Sequence, residues 1–339
     1  MDYREAAALL REQDAILILT HKRPDGDTIG CAVGLCAALR KLGKQAWVLP
    51  NRDATSLFTP YLEGYLAPEA VRPAFVVSVD IAGRSLFTPE GEVWLTRGID
   101  LAFDHHPSYE GFAAACCVDP GRAACGELIY DVVRQLGPVT AEIAQPLYVA
   151  VSTDTGCFQY GNTTPATHRV AAALMEAGID YASLNKRHFR TKSFRRLRIE
   201  SMIVEGMERY DGGKTAVAAV TLAMMAALGA HEEDVEDIAA FVGQTEGVET
   251  SVTIRELAEG ECKLSVRTSG GLNATRVCAL LGGGGHAAEI QGHVPYAGVQ
   301  LQPVRAVALR ERLDSRPIQD ALSNACVYPL LYPSAVKGP

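Results

Sequence analysis

His21, Asp25 and Asp27 fall within seven residues of one another in the stretch THKRPDGDTIG (20–30), just beyond the apolar run AILILT. Like charges held that close repel unless something positive lies among them, so these side chains either splay into solvent or share a cation. Three further segments carry the same residue types. AFVVSVD ends on Asp80, DLAFD runs into Asp104, His105 and His106, and LYVAVSTDTG delivers Asp154 just before Gly156. A lone aspartate at a strand end is usually a cap or turn residue; four such segments at one sheet edge are hard to explain as capping. Carboxylates mixed with imidazole suit Mn²⁺, with Mg²⁺, Fe²⁺ or Co²⁺ as alternatives, whereas a structural zinc would draw on thiolates. Six donors, four of them carboxylates, exceed what one ion needs once water and substrate bind. Two ions about 3.5–4 Å apart that share a carboxylate would use them all. His21 and Asp25 can then face one ion while Asp27, two residues on, turns to the other.

Such convergence needs a parallel sheet, whose sites form at the carboxyl ends of its strands. The first half of the chain has the required alternation: a helix over Asp2–Gln13, the strand AILILT, a helix over Thr28–Leu42 and the strand QAWVL. The strands AFVVSVD, DLAFD and AACCV follow, then helices over Ala123–Gln135 and Val139–Val151. Short apolar runs between helical patterns predict an α/β, doubly wound and mostly parallel sheet with helices on both faces. Near residue 181 the character changes. KRHFRTKSFRRLR (186–198) holds seven Lys or Arg, and no acid occurs between Asp180 and Glu200. Beyond it KTAVAAV, VETSVTIREL and CKLSVRT read as antiparallel strands, with helices around Glu232–Phe241 and Ala274–Leu280. The expected domains are therefore 1–185, a basic connector over 186–203, and a smaller α/β domain over 204–339 with a mixed or antiparallel sheet; the tail after Ala321 has little pattern.

Composition narrows the function classes. At 339 residues and 48% apolar, the chain can build two cores without disulfides or metal staples. No window approaches a membrane span and the first fourteen residues are polar, so neither a membrane role nor a signal peptide is expected. Nine cysteines, an odd number with no CxxC pair, suit buried thiols in a reducing cytoplasm. A net charge of −8 disfavours long duplex nucleic acid but leaves room for a local phosphate site.

HKRPDGD, VSVD, FDHH and STDTG, in this order, resemble the four motifs of the DHH phosphoesterase family, and GGGGH (282–286) resembles the glycine-rich motif of the DHH-associated C-terminal domain. By length the chain is similar to the compact bacterial members, nanoRNases that cut very short RNA to mononucleotides and remove the 3′-phosphate of adenosine 3′,5′-bisphosphate (pAp). The exonuclease RecJ is similar in its core but carries nucleic-acid-binding domains for which this chain has no room. The resemblance implies a hydrolase with two divalent ions, Mn²⁺ before Mg²⁺ or Co²⁺, and an active site in the cleft between the domains. It places His21, Asp25 and Asp80 on one ion and Asp27, Asp80, His105 and Asp154 on the second, with Asp80 bridging. Asp104 then orients a neighbouring histidine, and His106 is left to touch the scissile phosphate or protonate the leaving oxygen.

On the substrate side, successive glycines let backbone N–H groups converge on a phosphate. The resemblance gives that work to Gly283, Gly284 and Gly285 with His286 and Arg267, holding the phosphate and base away from the scissile bond. Glu289, Ile290 and Gln291 stand where the family usually has two alanines and a glycine, so recognition of the terminal nucleotide differs there. The basic run could track a short RNA backbone, with Phe189 or Phe194 stacking on a base. The expected partners are short single-stranded RNA and small phosphorylated nucleotides, with a homodimer left open. A phosphodiesterase for pApA or cyclic di-AMP would use the same motifs. A catalytically dead nucleotide-binding regulator would have lost a ligand, and all six matched positions hold competent residues.

Overall fold

The computed structural model describes residues 1–235, 238–258, 261–269, 297–300 and 304–305, and the chain divides into two compact units, Met1–Thr191 and Lys192–Pro339. In the first unit α1 (Tyr3–Glu12) starts on a capping box: the Asp2 carboxylate accepts from the N–H groups of Arg4 and Glu5 while Glu5 accepts from that of Asp2. There follow β1 (Ile16–Leu19), α2 (Gly26–Lys41), β2 (Ala46–Val48), α3 (Thr59–Leu62), β3 (Phe75–Val79), α4 (Pro89–Arg97), β4 (Ile99–Asp104) and β5 (Ala113–Val118). Helices α5 (Cys125–Leu136), α6 (Ala141–Asp154), α7 (Pro165–Glu176) and α8 (Tyr181–Asn185) complete the unit, with a π-helical turn over Lys186–Arg190.

The strands pair in the order β2-β1-β3-β4-β5, every pair parallel. Because side chains alternate across a strand, Ile16 and Ile18 join one apolar layer with helices α1, α2, α5, α6 and α7. Leu17 and Leu19 join a smaller layer on the other face with Phe87, Ile99 and Trp94 of α4. Both faces are covered, which is why the strands read as unbroken apolar runs. The strand order reverses between β1 and β3, and a doubly wound sheet opens a crevice at such a switch point.

Helices α2 and α6 approach closely through glycine. A Cβ on Gly30 would lie 2.2 Å from the carbonyl oxygen of Pro146 and 2.8 Å from the Ala150 methyl; one on Gly34 would meet Leu147 at 2.7 Å, and one on Gly26 would meet Thr153. This spacing at i, i+4, i+8 along GDTIGCAVG lays the start of α2 beside the end of α6. Helix α2 begins two residues earlier than expected, because Asp25 caps it and so draws Asp27 into its first turn.

In the second unit come α9 (Phe194–Glu205), β6 (Glu208–Tyr210), β7 (Thr215–Val220), α10 (Leu222–Leu228), α11 (Ile238–Val242), β8 (Thr250–Ala258), β9 (Glu261–Thr268), β10 (Ala297–Gln300) and β11 (Val304–Arg305). The sheet runs β10-β9-β8-β7-β6, with β11 also on β9. It is mixed, one of the two expected arrangements: β7 and β8, whose segments read as antiparallel strands, pair in parallel, the remaining pairs antiparallel. The link from β7 to β8 runs through α10 and α11, long enough for the crossover that parallel pairing requires. The basic run straddles the boundary between the units. Lys192 and Arg196 are bound to the buried carboxylate of Glu200, and Arg195 to buried Asp234, so three of its seven cations are paired within the chain. The helix expected around Ala274–Leu280, the glycine-rich segment 282–286, residues 289–291 and the tail lie outside the described residues.

Gly30→Ala should destabilise the protein by about 1–3 kcal/mol, since a backbone carbonyl faces the added methyl and must move. Equilibrium urea unfolding measures this; an unchanged midpoint would show that α2 and α6 are not held at this distance.

Candidate metal centre

Each carboxyl-terminal strand end at the crevice delivers a donor. Beyond β1, the side-chain amide of Asn51 donates to Thr20 Oγ1 and to the His21 carbonyl, both at 2.9 Å, and so fixes the turn. His21 Nδ1 lies 2.9 Å from the Lys22 carbonyl oxygen, which can only accept; the hydrogen therefore sits on Nδ1 and the Nε2 lone pair faces inward. Asp25 accepts from the N–H groups of Asp27 and Thr28 as the α2 cap. Asp27 is 1% exposed and anchored on the start of α5: one oxygen accepts from Cys125 N–H at 2.7 Å, the other from Gly126 N–H at 2.9 Å.

Asp80 follows β3 at φ +58°, a left-handed conformation that a non-glycine residue adopts only at a cost. Its N–H is tied to the Phe103 carbonyl at 2.8 Å, which holds the residue against β4. Asp104 closes β4 and is fully buried; its Oδ1 accepts from both the backbone N–H and Nδ1 of His106, at 2.8 and 2.7 Å. His105 turns the other way, its Nδ1 donating to the Arg122 carbonyl at 3.2 Å and leaving Nε2 open. Asp154 is the last residue of α6.

Three donor sets result: His21, Asp25 and Asp80; Asp27, His105 and Asp154; and Asp80, His105 and His106. His21 Nε2 is 3.6 Å from Asp25 and 3.7 Å from Asp80. His105 Nε2 is 3.8 Å from Asp27, 3.6 Å from Asp80 and 3.5 Å from Asp154. These distances are long for hydrogen bonds. They are close to the roughly 3–3.5 Å that separates two donors each about 2.1 Å from one ion. Asp80 Oδ1 is buried with no hydrogen-bond partner. A buried carboxylate oxygen left so is expensive unless a cation supplies the missing charge. The residues fit divalent metal.

The same crowding appears in the titration behaviour. Burial and then the charge of Asp25 push the Asp27 carboxyl up to about 7, and burial and then the charge of Asp27 do the same to Asp154. Asp80 is pushed well above the ordinary range by burial and by Asp27 and Asp25. Burial works against a charged His106, but its hydrogen bond to Asp104 and the charges of Asp104, Asp154 and Asp27 together outweigh that and raise its pKa. Arg267 stands on β9 opposite Ser251 and Gly298, half-buried, with Nε buried and unpartnered. Gly283, Gly284, Gly285 and His286 lie outside the described residues. Asn51 and Asn162 were not anticipated: each works on backbone carbonyls, which leaves no spacing pattern to read.

The family model for the DHH family, N-terminal domain, matches residues 15–151, and that for the DHHA1 domain matches residues 212–310. A Thermus thermophilus protein named bifunctional oligoribonuclease and PAP phosphatase NrnA is 36% identical over 303 residues, covering 88% of this chain and 87% of that one. A Streptococcus mutans protein named probable bifunctional oligoribonuclease and PAP phosphatase NrnA is 23% identical, covering 84% and 91%. An exopolyphosphatase-related protein from Bacteroides fragilis has the same fold, with a TM-score of 0.78 over 97% of both chains at 22% identity.

A carboxyl raised to about 7 favours the folded metal-free protein while protonated; that contribution is full below its unfolded value of 3.8 and is lost as pH rises through about 7. A divalent cation binds the deprotonated set. Adding Mn²⁺ to chelated protein should therefore raise Tm more at about pH 7.5 than at about pH 5.5. An equal or larger rise at the lower pH would exclude Asp27 and Asp154 as ligands.

Proposed function

The chain belongs to the DHH family, and on that footing we propose that it is a metal-dependent phosphoesterase. It hydrolyses short oligoribonucleotides to mononucleotides and removes the 3′-phosphate of pAp. The observation that carries this reading is the unpartnered Asp80 carboxylate at the junction of the donor sets, in a chain similar to the Thermus protein over most of its length. His21, Asp25 and Asp80 would hold one divalent cation, and Asp27, Asp80, His105 and Asp154 a second. Two imidazoles among the donors favour Mn²⁺, with Mg²⁺ or Co²⁺ as substitutes. When bound, such a pair lowers the pKa of a water and offsets charge on the phosphoryl oxygens.

The chain's own groups do the rest. Asp104 fixes His106 by accepting from Nδ1, so Nε2 is the atom presented outward. By raising the pKa of the ring, Asp104 keeps a proton on Nε2 that can pass to the departing ester oxygen. Arg267 contacts a phosphate or base remote from the scissile bond; on sequence grounds Gly283, Gly284, Gly285 and His286 complete that contact. Short substrates suit a chain whose basic run is short and has three of its seven cations paired internally. No helix among the described residues is long and apolar enough to cross a membrane, and the described cysteines are free thiols, which favours the cytoplasm.

Purified protein with Mn²⁺, offered pAp, RNAs of about two to five residues, pApA and cyclic di-AMP side by side, should act on the first two classes. Turnover confined to pApA or cyclic di-AMP would replace this reading with the dinucleotide phosphodiesterase, and full activity after chelation would remove the metals. On RNA, His106→Ala should lower kcat by roughly 10²–10⁴ with bound Mn²⁺ retained; loss of Mn²⁺ would make His106 a ligand instead.

Arg267→Ala should weaken kcat/KM for an RNA dinucleotide by about 1.5–3 kcal/mol while sparing bis(p-nitrophenyl) phosphate, which is too small to need a remote contact. Equal slowing of both substrates would show that Arg267 supports the fold rather than the substrate.

A further inference from the structure

Residues 119–126, the turn after β5 and the first two residues of α5, hold two members of one donor set directly and reach the third, Asp154, through Asn162. The Arg122 carbonyl accepts from His105 Nδ1 at 3.2 Å. The N–H groups of Cys125 and Gly126 hold both oxygens of Asp27. Asn162 donates at once to the carbonyl of Ala123, at 3.0 Å, and to that of Asp154, at 3.1 Å. His21 and Asp25 take nothing from this turn; their orientation comes from the Lys22 carbonyl and the start of α2.

The turn is itself clamped from behind by one side chain. Arg122 Nε donates to Asp119 at 3.1 Å, Nη2 donates to Asp131 at 2.7 Å, and Nη1 stands 3.6 Å from Glu127. Glu127 is buried and accepts from Thr167 of α7 at 2.6 Å, while Asp131 also pairs with Arg134 at 3.0 Å. Asp119 is tied through its N–H to the Asp104 carbonyl at 3.1 Å. The guanidinium thus binds the turn to β4, α5 and α7 through a fork that no other side chain reproduces.

We infer that Arg122 is the positioning residue for the donor set of Asp27, His105 and Asp154. It sets the affinity of that metal position and leaves the position of His21 and Asp25 to its own local scaffold. This rests on the two-metal reading above. The coupling is mechanical: release of the guanidinium lets the turn drift, and with it the carbonyl that aims His105 and the amides that hold Asp27.

The test is an Mn²⁺ titration of chelated protein followed by electron paramagnetic resonance, with the Tm of the metal-free protein measured alongside. Wild type should show two classes of site. Arg122→Lys keeps a charge for the buried acids but cannot reach all three, and should weaken one class by roughly 10–100-fold. His105→Ala should remove that same class, and His21→Ala the other. Added to His105→Ala, Arg122→Lys should leave the remaining class unchanged. Asp131→Asn, which removes one arm of the cage, should weaken the same class by less, with a metal-free Tm near wild type. RNA hydrolysis by Arg122→Lys should return toward the wild-type rate as Mn²⁺ is raised. Two unaltered classes in Arg122→Lys, or equal weakening of both, would overturn the assignment and leave the two-metal reading intact. A wild type with fewer than two classes would overturn that reading, and this inference with it.

Discussion

Asp80 sets a carboxylate oxygen into the protein interior with no donor to meet it, on a backbone at φ +58°. Both oxygens of Asp27 are met by N–H groups, whereas Asp104 is met only at Oδ1; among the described carboxylates Asp80 Oδ1 and Asp104 Oδ2 alone are buried without a partner, so the deficit is confined to this cluster. Three neighbouring carboxylates make it worse, because each negative charge raises the cost of the next. Such an arrangement is unfavourable as protein alone and becomes favourable once positive charge enters. The conformational cost at Asp80 is met by its neighbours: its N–H is secured by β4, and β3 behind it is buried on both faces. The strain sits in the least deformable part of the unit.

Much of the surrounding fold serves to hold those charges at fixed separations. The sheet order creates the crevice between β1 and β3. The first N–H groups of α5, which the helix itself cannot use, are given to Asp27. Asp154 reaches the same place only because α6 can lie against the glycines of α2. A methyl group at Gly30 would push the helix away by more than the tolerance of a metal ligand, about ±0.2 Å. Packing between two helices is thereby converted into the geometry of a charge cluster.

Residue types and local order made the donors legible: His21, Asp25, Asp80, His105 and Asp154 all stand at element ends that apolar runs announce. Apolar runs also located the parallel strands of the first unit to within a residue or two. What stayed hidden depends on partners distant in sequence. The acids that neutralise the basic run include Asp234, far beyond any window that reads 186–198 as free charge. The parallel pairing of β7 with β8 is decided by the helices between them, not by either strand. Asn51, Asn162 and Arg122 act on or through carbonyl oxygens, which every residue possesses, so side-chain type carries no sign of the role.

The two donor sets also differ in what must be folded before they exist. His21 and Asp25 are four residues apart, and capping of α2 places one of them wherever that helix starts. Asp27, His105 and Asp154 are separated by most of the first unit, so bringing them together closes long loops whose entropy must be recovered from the sheet and helices. The first set is a local feature that awaits Asp80; the second is a property of the assembled unit. Asp80 belongs to one and lies 3.6 Å from the imidazole of the other. Asp80 is therefore where the two halves meet, although each half is built and held at a different range of the chain.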